Sequence, residues 1–131
     1  MRLVLNDASE TDAFGASPMG YAIVETDGSI QANDALRVCE QSLGETGLYI
    51  QNNSFDELSM ARRPALDLFL GTVPPARDCA NCREATTCGG GYIPHRFSRE
   101  RGFDNRSVWC ADILKLFDHV RAFMYRHGEP R

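Results

Sequence analysis

Four cysteines in the second half of the chain have the residue type and spacing of a metal site. Cys79, Cys82, Cys88 and Cys110 form the pattern C-x2-C-x5-C-x21-C, and a run of three glycines directly follows the third cysteine. Thiolates are soft ligands that select Zn2+ or iron–sulfur clusters, and a C-x2-C pair lets two neighbouring sulfurs converge on one centre. The spacing therefore predicts a four-thiolate centre that holds either a structural Zn2+ or a cluster.

The number of cysteines favours metal binding over a disulfide framework. The chain has five cysteines, which is an odd count, and its N-terminus lacks the apolar segment of a signal peptide. We therefore expect a cytoplasmic protein, and clustered cysteines in a reducing compartment bind metal or do redox chemistry more often than they form disulfides. Cys39 is the outlier; it is predicted as a small core residue on a helix face, with a redox-active thiol as the alternative.

Length and charge restrict the classes of partner. The 131 residues suit one domain of ordinary size, and the formal net charge of -4 provides no general attraction to nucleic acid or to an anionic membrane. The chain also contains no apolar run long enough to span a bilayer. We therefore expect neither nucleic acid nor a membrane as a partner.

The first half of the chain predicts a hairpin followed by short helices. Residues 21–25 have the composition of a strand, and Asp27-Gly28 supplies the residue types of a tight turn before a return strand at Ser29. A helix capped by Asn33 or Asp34 is expected to run through Cys39 and Leu43 to a C-cap at Gly44.

A second strand signal and a second helix signal follow. Residues 48–50 form a short apolar strand, and Ser54 with Glu57 three residues later has the form of a capping box. The segment up to Gly71 is expected to be mostly helical, with a kink or a break at Pro64.

The cysteine-rich segment and the C-terminal helix complete the predicted fold. Residues 78–106 show little periodic apolar pattern, so metal ligation would have to order them. Ser107 is predicted to cap a helix that carries Cys110 in its first turn, where backbone N–H groups and the helix dipole stabilise a thiolate. The expected apolar stripe of this helix comprises Val108, Trp109, Ile113, Leu116, Phe117, Val120 and Met124.

These elements together predict an α+β fold: a small domain with a β-hairpin, short helices, a Cys-rich metal-binding loop and a C-terminal amphipathic helix. Three further side chains near the cysteines have expected roles. Trp109 is expected to cover the site from water, and His95 is close enough in sequence to reach a metal or a substrate. Arg96 is expected to be a solvated loop arginine, with binding of a peptide carboxylate as the alternative.

The motifs of this region resemble a known domain family. The stretches CANC at 79–82, CGGGYIPHR at 88–96 and GFDNRSVWC at 102–110, with IVETDGS at 23–29 and TGL at 46–48 upstream, resemble the SPASM domain. This domain lies at the C-terminus of radical S-adenosylmethionine enzymes, and the resemblance is greatest to maturases of ribosomally made peptides. It divides the chain into a linker at residues 1–20, a SPASM-like domain at 21–125 and a frayed C-terminus at 126–131.

The resemblance implies one auxiliary [4Fe-4S] cluster. In that family, cysteines matching Cys79, Cys82, Cys88 and Cys110 hold one auxiliary cluster, so these four are the implied cofactor ligands. A further cluster would need cysteines at two positions that hold Asn33 and Tyr92 in this chain. We therefore expect a single cluster, with Zn2+ in its place as the alternative, especially in protein prepared in air.

The resemblance also implies what this chain does not do alone. The catalytic C-x3-C-x2-C motif of radical S-adenosylmethionine enzymes is absent from the sequence. We therefore expect an inactive chain that acts with a radical S-adenosylmethionine core domain, in the same or a separate chain, on a peptide substrate. Its implied role is to support the substrate site and to relay an electron. The alternative is a zinc-stabilised module that binds a peptide or protein and has no redox role.

Overall fold

The computed structural model describes residues 21–60, 67 and 73–128. The described residues fall into two compact units that separate between Pro74 and Pro75. The predicted linker at 1–20, the predicted kink at Pro64 and the residues after 128 lie outside the described residues. The fold mixes short helices with a three-stranded antiparallel sheet, as the sequence predicted at the level of fold class.

The first unit is built on the sheet. Its strands are β1 (Ile23–Val24), β2 (Ser29–Gln31) and β3 (Glu45–Tyr49), in the spatial order β1-β2-β3. Gly28 adopts a φ of 83° in the β1–β2 turn, a conformation that glycine tolerates without a steric penalty. The hairpin agrees with the prediction, but β1 is shorter than expected because only its two residues pair with β2.

A bulge between Ile30 and Gln31 is filled by Thr46. The pairing of β2 with β3 shifts at this point, since Ile30 lies opposite Leu48 while Gln31 lies opposite Glu45. The buried Thr46 hydroxyl donates a hydrogen bond to the Ile30 carbonyl and accepts one from the Leu48 N–H at 3.1 Å. One side chain thus satisfies backbone groups that the irregular ladder leaves without strand partners.

Ile30 and Leu48 form the core of the first unit with Leu58, and Ala22 packs against them. Leu58 lies on α2 (Asp56–Met60). The backbone N–H of Ser54 donates to the Glu57 carboxylate at 2.9 Å, which is the return half of the predicted capping box.

The predicted helix from Asn33 to Leu43 is interrupted. The helix α1 spans Ala35–Cys39, Glu40 has an extended backbone with φ of -159°, and residues Gln41–Gly44 form a separate 3-10 turn. Asn33 accepts a hydrogen bond from the Ala35 N–H at 2.8 Å, so it supports the start of the helix as expected. Cys39 was predicted to be a core residue, but its side chain is only partly buried.

The second unit contains the cysteines. Its elements are a 3-10 turn at Arg77–Cys79, α3 (Ala85–Cys88), a 3-10 turn at Ile93–Arg96 and α4 (Cys110–Arg126). On α4, Ile113, Phe117 and Met124 are buried. The prediction of an apolar stripe is wrong at three positions, because Val108, Trp109 and Leu116 are exposed. None of the helices in the described ranges is long and apolar enough to cross a bilayer.

Candidate metal centre

The four predicted ligands surround one cavity in the second unit. Cys79 ends a 3-10 turn, Cys82 lies in the turn that follows, Cys88 ends α3, and Cys110 begins α4. All four line the same small cavity of about 20 Å³. The other lining residues are Glu84, Ala85, Gly90, Ser107, Ile113 and Leu114. Cysteines up to 31 positions apart in sequence are therefore brought to one place.

The cysteines carry no disulfide, and all five lie in the described part of the chain. Across those ranges, however, no group of three or more His, Cys, Asp or Glu side chains is arranged so that it could hold a metal ion. A single zinc ion bonds each sulfur at about 2.3 Å, which requires four sulfurs to meet closely. Binding of a single ion would therefore require the thiol side chains to turn inward.

Backbone N–H groups point at two of the sulfurs. The Glu84 N–H donates to Cys82 Sγ at 3.5 Å, and the Gly90 N–H forms a hydrogen bond with Cys88. Burial raises the pKa of the Cys88 thiol above its ordinary value, and the hydrogen bond from Gly90 opposes that rise. Hydrogen bonds of this kind favour the thiolate, which is the form that binds metal.

The glycine run has the special backbone geometry that its position requires. Gly90 and Gly91 adopt φ values of 90° and 76°, in a region that residues with a side chain rarely enter. A Cβ atom at Gly91 would lie 3.1 Å from Ser107 Cβ and 3.3 Å from Ile113 Cδ1. The run therefore passes close beneath the start of α4.

Arg96 is buried rather than solvated, contrary to the prediction. Its side chain is the largest among those that are fully buried, with a relative exposure of 2%. The guanidinium donates to the Phe103 carbonyl at 2.8 and 3.1 Å and to the Asn105 carbonyl at 3.3 Å. Asn105 in turn donates to the Arg96 carbonyl at 2.8 Å. These contacts fold the segment between Arg96 and Asn105 around the guanidinium.

The charge of Arg96 acts on Cys79. Burial raises the pKa of the Cys79 thiol above its ordinary value, and the positive charge of Arg96 is the first influence that opposes this rise. The buried cation thus favours the thiolate of a predicted ligand. A motif search could not find this residue, because its burial depends on the fold of the whole loop.

Glu84 is a second residue that the sequence reasoning missed. Its carboxylate is 2% exposed and forms a two-point ion pair with Arg121 of α4, in which Nη2 lies 2.7 Å from Oε2. This pair joins the cysteine-bearing segment to the helix that starts with Cys110. Glu84 also lines the cavity.

The remaining candidates lie away from the cavity or differ from expectation. The His95 ring contacts the Tyr92 ring edge-on at 5.1 Å, and His95 is not among the lining residues. Trp109 is 55% exposed, so the expectation that it shields the site is wrong. The prediction that Ser107 caps α4 is wrong, because the N-cap residue is Trp109 and no side-chain hydrogen bond caps the helix there. The Ser107 hydroxyl accepts from the Trp109 N–H at 3.2 Å, and Ser107 lines the cavity.

The four side chains are of a type that binds metal, but the described residues do not group them in an arrangement that holds an ion. The four thiols line one cavity. Backbone N–H groups donate hydrogen bonds to Cys82 and Cys88, and the buried Arg96 acts on Cys79 through its charge. Burial nevertheless outweighs these influences at Cys79 and Cys88, so the pKa of each of the two thiols stays above its ordinary value. No protein-family model, curated protein or solved structure matches this chain.

Proposed function

We propose that this chain is an auxiliary [4Fe-4S] domain of a radical S-adenosylmethionine enzyme that modifies a ribosomally made peptide. The observation that carries the proposal is the convergence of Cys79, Cys82, Cys88 and Cys110 on one cavity. These are the four cysteines that the resemblance to the SPASM domain marks as ligands of one cluster. In this proposal they form a Cys-rich metal-binding loop closed by an amphipathic C-terminal helix.

The proposed role of the domain is support and electron relay. Four protein thiolates complete the coordination of such a cluster, so a substrate would have no open iron to bind. When bound, the cluster supplies a site that accepts or donates one electron. The protein residues hold the thiolates, direct N–H groups at Cys82 and Cys88, and join the loop to α4 through Glu84.

The proposed partners follow from the same resemblance. The chain would act beside a radical S-adenosylmethionine core domain, because its own sequence lacks the C-x3-C-x2-C motif. A peptide is the proposed substrate of the assembled enzyme, and the cytoplasm is the proposed compartment. On its own the chain is proposed to be inactive.

A zinc-stabilised interaction module is the second candidate. The observation that favours it is the small size of the cavity, about 20 Å³, which has room for about one water-sized sphere. A single Zn2+ needs less space than a four-iron cluster. In that case the site would stabilise the fold, and the chain would bind a peptide or protein without electron transfer.

Anaerobic reconstitution with iron and sulfide distinguishes the two candidates. The cluster proposal expects about four iron and four sulfide per chain and a broad visible absorption that bleaches on reduction. Tight binding of Zn2+ without uptake of iron and sulfide would overturn it and favour the zinc module. The matched control is the Cys39→Ser variant, which should load like the unaltered chain because Cys39 lies outside the cavity lining.

A further inference from the structure

The guanidinium of Arg96 occupies a fixed place beside the cysteine cavity. Its hydrogen bonds to the Phe103 and Asn105 carbonyls leave the side chain little freedom to move. Asn105 holds the other side of the loop, with its side-chain amide donating to Gly102 O at 3.0 Å and Ser98 Oγ at 3.1 Å. The positive charge is thus held inside the protein by carbonyl dipoles, and the negative charge of Asp104 also acts on it.

Gly90 contacts both this charge and the thiol of Cys88. A Cβ atom at Gly90 would be 3.3 Å from Arg96 Nη1, so the guanidinium packs directly against the Gly90 backbone. The Gly90 N–H forms a hydrogen bond with Cys88, and Gly90 also lines the cavity. The guanidinium therefore packs against a residue that lines the thiol cavity.

A buried charge at this distance acts strongly on a thiolate centre. Water and salt screen an exposed cation, but they screen a buried one much less. A four-thiolate cluster is already anionic and gains one more negative charge when it accepts one electron. A fixed positive charge beside it stabilises the reduced form more than the oxidised form, and so raises its reduction potential.

We propose that Arg96 is the internal counter-cation of the four-cysteine centre and raises the reduction potential of the bound cluster. The proposal rests on the proposed function, because it concerns the same site. It assigns to Arg96 a positioning and charge-compensating role and no contact with a substrate.

The test measures the midpoint potential of the reconstituted chain by an electrode-coupled titration, together with iron content. Arg96→Met removes the charge and keeps much of the side-chain volume, whereas Arg96→Lys keeps the charge. We expect Arg96→Met to weaken electron uptake at least tenfold, a fall of about 59 mV for one electron. Arg96→Lys should recover most of that shift. The matched control, Arg99→Met, removes an exposed charge from the same loop and should leave the potential unchanged.

The outcomes separate this inference from the proposed function. If the unaltered chain takes up no iron and sulfide, the proposed function fails and this inference fails with it. If the unaltered chain loads and Arg96→Met loads with an unchanged potential, only the counter-cation is wrong. Should Arg96→Met not fold, Arg96→Gln takes its place, because its amide removes the charge and can still donate hydrogen bonds to the loop carbonyls. The same fall in potential is then expected, and an unchanged potential overturns the counter-cation.

Discussion

Glu84 and Arg121 form a two-point ion pair that connects the cysteine-bearing segment to the C-terminal helix. The carboxylate is buried, whereas the arginine side chain is 40% exposed, and the residues are 37 positions apart in sequence. Because Glu84 follows Cys82 closely and Arg121 lies on the helix that begins with Cys110, the pair holds two parts of the candidate site together.

Removing Arg121 should destabilise the second unit. The variant Arg121→Met removes the two-point partner of the buried Glu84 carboxylate and leaves its longer contact to Arg83, at 3.7 Å, so we expect a loss of about 2 kcal/mol in the free energy of unfolding. This value is below that of a fully buried pair because Arg121 is partly exposed. Urea unfolding of the metal-free chain, followed by the fluorescence of Trp109, measures it.

Lys115→Met is the control for that experiment. Lys115 and Asp112 form an exposed pair at 3.5 Å, which water and salt screen. Its loss should change the unfolding free energy by less than about 0.5 kcal/mol. Equal effects of the two substitutions would show that the Glu84–Arg121 pair has no special structural role.

Alanine at Gly91 should be more damaging than alanine at Gly102. Both glycines have positive φ, so each substitution costs about 1 kcal/mol of backbone strain. At Gly91 the new methyl group would also press against Ser107 and Ile113, which adds about 1–3 kcal/mol. At Gly102 no atom lies within 4 Å of the new position.

Thermal unfolding of the two alanine variants compares them directly. The Gly91→Ala variant should have the lower melting temperature, and it should also bind iron and sulfide less well because Gly91 follows Gly90 of the cavity lining. Similar melting temperatures would mean that the close approach of Gly91 to α4 does not matter for stability.

Loss of one candidate ligand should disorder the cysteine-rich segment of the metal-loaded chain. Cys82→Ala and Cys110→Ala each remove one of the four thiols, and we expect residues 78–110 to become sensitive to protease because the proposed metal would organise them. Limited proteolysis with mass spectrometry locates the new cleavage sites. Cys39→Ser should keep the original protection, and protection of the segment in the Cys82 and Cys110 variants would contradict the metal's organising role.

The turn of the first unit should respond to acid through Asp27. The Ser29 backbone N–H donates to the Asp27 carboxylate at 2.9 Å, and this hydrogen bond holds the pKa of Asp27 below its ordinary value. Because the folded pKa is the lower one, the contribution to stability is complete above the unfolded pKa of about 3.9. It is lost as the pH falls through the folded pKa.

NMR titration of the Asp27 carboxyl group measures that pKa, and exchange of the Ser29 amide hydrogen reports the loss of the turn at low pH. The Asp27→Asn variant keeps an oxygen acceptor that does not titrate, so its Ser29 amide should show a weaker dependence on acid. A midpoint at or above about 3.9 for Asp27 would contradict the prediction.

Local signals in the sequence predicted the elements that depend on a few neighbouring residues. Gly28 lies in the hairpin turn, Glu57 accepts the backbone hydrogen bond of a capping box, and Cys110 lies at the start of the last helix. Each of these features arises from contacts within about four residues, so its cause can be read from the sequence. The interruption at Glu40 was not predicted, because helical periodicity continued through it.

The sequence by itself determined the spacing of the four thiols, the glycine run between them and the charge of the chain. Only the tertiary structure decided that Arg96 is buried, that Glu84 meets Arg121, and that Trp109 faces solvent. Burial and pairing of this kind depend on which distant segments the chain brings together. A solvated arginine and a buried one have the same letter in the sequence, and only the backbone carbonyls folded around Arg96 distinguish them.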